Sequence, residues 1–216
     1  MNLLILAIAP VVIILIYIYM RDIYHKEPLG MLIRALVAGA IITIPIIGIE
    51  LWLSAYVSFF TGLQAAAYNA FVVAAVTEEL FKFLALYILV WRSKAFDEQF
   101  DGIVYAVFIS LGFAMVENIM YVFRFGDQTA YARAFTAVPA HALFGITMGY
   151  YFSLSKFFTK RRSINFISAL AMPILLHGVY DFILMSRHPL YFVVFLPFLF
   201  YLWRSGFKKM KLLSGR

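Results

Sequence analysis

The chain contains seven long apolar runs separated by short polar segments, and this pattern limits the folds it can adopt. The runs lie near 2–20, 31–57, 65–91, 102–123, 134–156, 164–185 and 189–204. A helix of about 20 apolar residues crosses the hydrocarbon core of a bilayer. Hydrophobic residues make up 64% of the chain and charged residues 13%, a balance typical of integral membrane proteins. The sequence therefore predicts an all-α polytopic membrane helix bundle with about seven transmembrane helices.

The distribution of Lys and Arg predicts how the bundle is oriented. Most basic residues follow the odd-numbered runs or lie in the C-terminal tail. The segments after the even-numbered runs hold only Arg124, Arg133 and Arg187. Cytoplasmic segments are enriched in Lys and Arg, so we expect the N-terminus outside and the C-terminus in the cytoplasm. The net charge of +7 then reflects membrane topology and a lipid bilayer as partner, and no nucleic acid is expected. No loop is long enough to fold separately, so residues 1–216 are expected to form a single domain.

Polar side chains interrupt four consecutive runs, the third to the sixth. They are Glu78, Glu79 and Lys82 in the third run, Glu117 and Asn118 in the fourth, His141 in the fifth, and His177 and Asp181 in the sixth. At about 1.5 Å of rise per residue, the four helices bring these groups to a similar depth, between the outer surface and the midplane. Ionisable groups are costly in lipid, so we expect them to face one another or a water-filled cavity.

Each of these residues also has a purely structural interpretation. Glu79 and Lys82 have the spacing of a buried ion pair on one helix face. His177 can be held by Asp181 one turn away, and an isolated His141 beside small residues can join neighbouring helices. Structural pairs have no reason to gather at one depth across four helices, however. The common depth therefore favours a shared functional site.

The residue types at this depth suit hydrolysis of an amide bond. A carboxylate in a poorly hydrated pocket can act as a general base toward water, and histidines can stabilise an oxyanion. Glu79, His141 and His177 are also possible zinc ligands, although the sequence has no His-Glu-x-x-His motif. The chain has no cysteine, which excludes thiolate metal sites and a cysteine nucleophile. Zinc as a cofactor and a metal-free mechanism both remain open from the residues alone.

Four segments of the sequence resemble the PrsW family of bacterial intramembrane proteases. They are Glu-Glu-x-x-Lys at 78–82, FDEQFDGIVYAVFISLGFAMVENIMY at 96–121, the His141-Ala-Leu segment, and LLHGVYDFIL at 175–184. The resemblance extends over nearly the whole chain, with the motifs in the family's order. It implies an intramembrane endopeptidase, a multi-pass protein of a bacterial cell membrane.

The resemblance also implies roles for individual residues and a substrate. The implied catalytic residues are Glu78, Glu79, Glu117, His141 and His177, and the supporting residues are Lys82, Asn118 and Asp181. The family's substrate is a single-pass anti-sigma factor, which is cut on its extracytoplasmic side to start release of a sigma factor in the envelope-stress response. The related CAAX-prenyl endopeptidases are similar and favour a glutamate-activated water, so we expect that mechanism over a zinc-dependent one.

Two functions of other classes also fit the intramembrane polar residues. A proton-coupled transporter uses such residues as a relay, but the sequence has no inverted repeat and no pair of matching broken helices. A non-catalytic scaffold, similar to immunity-type membrane proteins, would hold another protein in the same cavity. Substitution of Glu79 separates the three functions, because only a protease would lose cleavage while remaining correctly inserted.

Overall fold

Helices make up most of the part of the chain that the structure describes. The computed structural model describes residues 2–22 and 25–214, and these ranges contain no β-strand. The helices are α1 (Leu3–Arg21), α2 (Leu29–Ser54), α3 (Gly62–Ala67), α4 (Thr77–Val90), α5 (Asp101–Phe125), α6 (Asp127–Phe135), α7 (Ala137–Phe157), α8 (Arg162–Met185) and α9 (Pro189–Leu213). A π-helix (Tyr68–Val76) joins α3 to α4 without a break.

Within the part of the chain that the structure describes, five helical segments are long and apolar enough to cross a membrane. They are Leu3–Arg21, Leu29–Phe59, Asp101–Phe125, Thr159–Met185 and Pro189–Leu213. Large apolar side chains such as Ile13, Ile44 and Val193 are exposed along them, as expected where helices face lipid rather than water. The expected all-α membrane bundle is thus confirmed. The predicted count of seven crossings additionally requires the helical stretch 62–90 and α7, which carry much of the polar cluster.

Helix α5 occupies the centre of the bundle. Of its most apolar stretch, 72% is buried, compared with 11% to 39% in the other four segments. It packs against α1, α2, α4 and α7. A Cβ atom added to Gly112 would lie 2.0 Å from the Leu36 carbonyl oxygen, and one added to Gly149 would lie 2.2 Å from that of Gly102. Glycine therefore lets the backbones of α2 and α7 lie directly against α5, as small residues do in membrane bundles.

The helix boundaries differ from the apolar runs in two places. The last run, 189–204, continues as α9 to Leu213, because the basic residues beyond Arg204 extend the helix without being apolar. The polar segment after α5, predicted to be a loop, forms the short helix α6. Gly126, at a φ of 86°, turns the chain between α5 and α6, a conformation that glycine adopts without strain. Helix α6 lies against α1, α5 and α7.

Candidate active site

A cavity of about 1000 Å³ lies between α2, the π-helix, α5, α7 and α8. Much of its wall is apolar, with side chains such as Ile46, Val73 and Leu184. The ionisable side chains that line it are Glu50, Glu78, Glu117, Tyr121, Arg124, Arg133, His141, His177, Tyr180 and Asp181. The cavity thus collects polar groups from the four runs that the sequence singled out, and adds others from α2 and α6.

The two adjacent glutamates of α4 face different surroundings. Consecutive residues of a helix project about 100° apart, so both cannot point the same way. Glu78 lines the cavity, whereas Glu79 is fully buried behind it. The Lys82 ammonium donates to Glu78 Oε2 at 2.9 Å and to Glu79 Oε1 at 2.8 Å. The ion pair expected between Glu79 and Lys82 is therefore present, and it extends to Glu78.

His177 is held between carboxylates of two helices. Its Nδ1 lies 2.9 Å from Glu79 Oε1 on α4, and its Nε2 lies 3.3 Å from Asp181 Oδ2 one turn further along α8. The ring of Phe144 stacks on the imidazole with 4.9 Å between the centroids. These contacts leave the His177 ring a single orientation, with its Nδ1 toward α4.

His141 is held in a similar way from α5. Its Nε2 lies 3.0 Å from Glu117 Oε2, and its Nδ1 lies 3.3 Å from the Lys82 ammonium. The two imidazole centroids are 5.4 Å apart, and the rings are nearly perpendicular. Each histidine thus has its Nε2 beside a carboxylate and its Nδ1 beside the polar groups of α4.

Glu78, His141 and His177 form a group that can hold a metal ion. All three are buried, and each offers one ligand atom within 4.8 Å of the other two. Two imidazoles and one carboxylate are a known ligand set for catalytic zinc. Histidines that bind metals usually donate their other ring N–H to an oxygen such as a carboxylate, the arrangement that Glu117 and Asp181 make here. The donor set therefore fits a divalent cation.

Two features of this group differ from the ligand set expected from the sequence. The sequence interpretation gave Glu79 as the carboxylate ligand, whereas the structure brings Glu78 to that place, because only one glutamate of the pair can face the cavity. The Lys82 ammonium also contacts both Glu78 and His141. An ion bound at those atoms would take the position of the ammonium, because both are cations that neutralise the same carboxylate.

Asn118, expected to support the site, lies outside the cavity. Its Nδ2 donates to the Ala7 carbonyl oxygen at 2.7 Å, and its Oδ1 accepts from Arg133 Nε at 2.8 Å. Asn118 therefore joins α1, α5 and α6 rather than facing the histidines. The structure brings the other predicted residues together around the cavity. Glu79 and Lys82 do not line it and lie buried behind the lining residues.

Arg133 and Glu50 also line the cavity, although neither was predicted from the sequence. Arg133 was assigned to a loop, but α6 brings its Nη2 to 2.6 Å from Glu117 Oε2. Only the three-dimensional packing of α6 reveals this pair. Glu50 lies on α2 and also lines the cavity. An acidic residue inside an apolar run is the signal that identified Glu117, and the same criterion would have identified Glu50.

Comparison with known proteins gives a consistent family match. Residues 27–202 match the family described as "PrsW family intramembrane metalloprotease". "Protease PrsW" of Geobacillus kaustophilus is 39% identical over 209 residues, which cover 96% of this chain and 90% of the relative. The protein of the same name from Clostridioides difficile is 39% identical over 98% of this chain and 91% of its own. That of Bacillus subtilis is 36% identical over 94% of this chain and 92% of its own. No solved structure matches the chain.

Proposed function

The chain belongs to the PrsW family of intramembrane metalloproteases and is a peptidase of a bacterial membrane, and from this premise we propose that its cavity hydrolyses a peptide bond of a single-pass membrane protein. The substrate we propose is of the anti-sigma-factor type, cut near the extracytoplasmic face to begin release of a sigma factor. The proposal includes seven membrane crossings, with the N-terminus outside and the C-terminus in the cytoplasm.

The convergence of Glu78, His141 and His177 at the cavity is the observation that carries the proposal. Three helices contribute these side chains, and each residue is buried and held by a hydrogen-bonded partner. Ionisable groups inside a membrane are retained where they serve a function. Such a preorganised set can hold a water and a substrate carbonyl in fixed positions, which is the main requirement for hydrolysis.

The family description and the donor set both favour a divalent metal, zinc by ligand type, over the metal-free mechanism favoured from the sequence. Glu78, His141 and His177 would hold the ion. A bound zinc ion would polarise the scissile carbonyl and make the attacking water more acidic. Glu117 and Asp181 would orient the two imidazoles through the Nε2 contacts already present in the protein.

Glu79 is the residue that we propose as proton acceptor. Its Oε1 is occupied by Lys82 and His177, whereas its buried Oε2 has no hydrogen-bond partner among the described residues. A buried carboxylate oxygen without a partner costs free energy unless water or a ligand reaches it. We propose that the attacking water gains access to this oxygen and transfers its proton there.

Cleavage of a defined substrate by purified protein in liposomes tests the proposal. The substrate is a single-pass reporter, and mass spectrometry of the products locates the cut. We expect a cut near the outer end of the reporter's transmembrane segment. Glu78→Gln and Glu79→Gln should each lower the cleavage rate by about 100-fold or more, since metal ligation and general-base catalysis both require the carboxylate. Asp127→Asn, an exposed acidic residue of α6 outside the cavity wall, is the matched control.

Two outcomes would contradict different parts of the proposal. Glutamine variants that cut as fast as the wild type would show that the glutamate pair is not catalytic. A correctly inserted wild-type protein that cuts no single-pass reporter would favour a transporter, tested by proton flux, or a scaffold.

A further inference from the structure

Glu50 is the one acidic side chain of the cavity wall that no basic group neutralises in the part of the chain that the structure describes. Three other acidic residues line the cavity. Glu78 pairs with Lys82 at 2.9 Å, Glu117 with Arg133 at 2.6 Å, and Asp181 with His177 at 3.3 Å. Within residues 2–22 and 25–214, no Lys, Arg or His nitrogen lies within 4.0 Å of the Glu50 carboxylate.

Glu50 lines the same cavity as Glu78, Glu117 and the two histidines. It lies on α2, whose helical segment continues past Ser54 to Phe59. A peptide whose scissile bond reaches Glu78 and the histidines would therefore also meet the part of the wall that contains Glu50.

The wall around Glu50 is apolar, and its helix packs closely on α5 at another level. Helix α2 is fixed against α5 where a Cβ atom on Gly39 would lie 2.0 Å from the Ile109 carbonyl oxygen, so α2 cannot move closer. Ile46, Ile47 and Leu51 line the cavity from the same helix. An apolar surface that ends in a carboxylate matches a side chain with an apolar stem and a cationic tip.

We propose that Glu50 forms a substrate subsite that binds a basic side chain, Lys or Arg, a few residues from the scissile bond. The inference rests on the proposed function, because it names a preference of the same cavity. The carboxylate would form an ion pair with the ammonium or guanidinium, and the stem of the substrate side chain would lie along Ile47 and Leu51. A glutamate of the substrate at that position would be repelled.

The subsite also accounts for the location of the unpaired charge. A carboxylate on a membrane helix is costly, so it faces a partner, a pathway or water. The catalytic carboxylates already have partners within the protein, and an added cation there would compete with Lys82 or Arg133. Among the acidic cavity residues that the structure describes, Glu50 alone is free to gain an ion pair when substrate binds.

Substrate variants at mapped positions test the subsite in the liposome assay. In the reporter already cut by the wild type, each residue within four of the scissile bond is changed in turn to Arg, Gln or Glu. We expect one position at which the wild type cuts the Arg reporter about tenfold faster than the Gln reporter, the effect of one hydrogen-bonded charge pair. Glu50→Gln should bring the Arg-to-Gln rate ratio at that position close to one, and Glu50→Arg should favour the Glu reporter. Asp127→Asn should keep the wild-type ratio.

The outcomes separate the subsite from the proposed function. A wild type without preference for a basic residue at any position overturns the subsite and leaves the protease activity standing. Equal loss of rate on every reporter in Glu50→Gln, with an unchanged ratio, would assign Glu50 to the chemical step or to folding, and a melting temperature measured for the same variant distinguishes these two. If the wild type cuts nothing, the proposed function itself fails.

Discussion

At the scale of single residues, the carboxylates behind the two histidines are as informative as the histidines themselves. His177 and His141 each contact a carboxylate through Nε2, from Asp181 and Glu117 respectively. Such outer contacts fix the tautomer and ring orientation of a ligand and raise its basicity. We therefore propose that Asp181 positions His177, a role that the ligand residues alone would not reveal.

Replacing Asp181 by Asn should weaken metal binding while preserving the fold. Asparagine keeps the size of the side chain but removes the charge that holds His177 Nε2 at 3.3 Å. We expect zinc affinity to fall by about 10- to 100-fold, the usual effect of losing such a contact. Competition with a chromophoric chelator measures this affinity. An unchanged dissociation constant would mean that His177 does not bind the metal.

Most of the candidate site could be predicted from the sequence because lipid makes polar residues conspicuous. Glu78, Glu79, Glu117, His141 and His177 stand in apolar runs, where each charge or imidazole is costly. The contacts that define their roles could not be predicted, since they depend on helix rotation. The sequence could not show that Glu78 rather than Glu79 faces the cavity, or that Asn118 turns toward α1.

At the scale of helices, α6 contacts the site through one side chain. Arg133 donates to Glu117 at 2.6 Å and to Asn118 at 2.8 Å, and its guanidinium lies 4.2 Å from the centroid of Tyr121. The planar guanidinium can serve two acceptors at once, which an ammonium cannot do with the same geometry. Helix α6 is thus connected to His141 through Glu117.

Removing the guanidinium of Arg133 should slow cleavage more than it weakens substrate binding. We expect Arg133→Ala to lower kcat by about 10-fold or more, because Glu117 would no longer hold His141 in one orientation. Arg133→Lys should be faster than Arg133→Ala, because an ammonium can still pair with Glu117 even if it loses the contact with Asn118. Arg187→Gln, an exposed arginine outside the cavity wall, serves as control. A change confined to KM would indicate that α6 contacts substrate and does not position the site.

The contact between α2 and α5 depends on glycine in a way that substitution can measure. A Cβ atom at Gly112 would lie 2.0 Å from the Leu36 carbonyl oxygen, whereas one at Gly48 on α2 would meet nothing within 4 Å. Gly112→Ala should lower the melting temperature in detergent, because overpacking costs about 1–3 kcal/mol. Gly48→Ala should leave it nearly unchanged. Equal melting temperatures for the two variants would show that the helices are not in backbone contact.

At the scale of the whole molecule, the sequence predicts an all-α membrane bundle but does not predict every helix or how the helices pack. Apolar runs predict helices because only intrahelical hydrogen bonds satisfy the backbone in lipid. The amphipathic helix α6 and the basic end of α9 escaped this criterion, since neither is apolar throughout. The central place of α5 depends on contacts such as Gly112 against Leu36, which are visible only once the helices pack.

The cytoplasmic end of the predicted topology contains a buried carboxyl that links stability to pH. Burial raises the pKa of Glu27, in the loop between α1 and α2, from 4.5 to about 8, and the nearby Asp101 carboxylate adds to this effect. The Tyr105 hydroxyl donates a hydrogen bond to Glu27, and this contact lowers the pKa of Glu27. The folded protein thus binds a proton that the unfolded chain releases above pH 4.5.

Stability should therefore fall as pH rises, and the melting temperature should show it. The stabilisation from protonated Glu27 is complete below its unfolded pKa and is lost as pH rises through its folded pKa of about 8. We expect the melting temperature of the wild type to decrease between pH 4.5 and about pH 8, and that of Glu27→Gln to decrease less. Parallel curves for the two proteins would exclude Glu27 as the source of the dependence.

The most direct test of the central claim is the cleavage rate of the chelator-treated protein as zinc is added back. We propose that Glu78, His141 and His177 form a metal centre for peptide hydrolysis. We expect that the treated protein cuts no reporter, and that the rate returns and saturates at about one zinc ion per chain. A full rate in protein shown by elemental analysis to contain no metal would contradict this proposal, and would assign the chemistry to the glutamate pair alone.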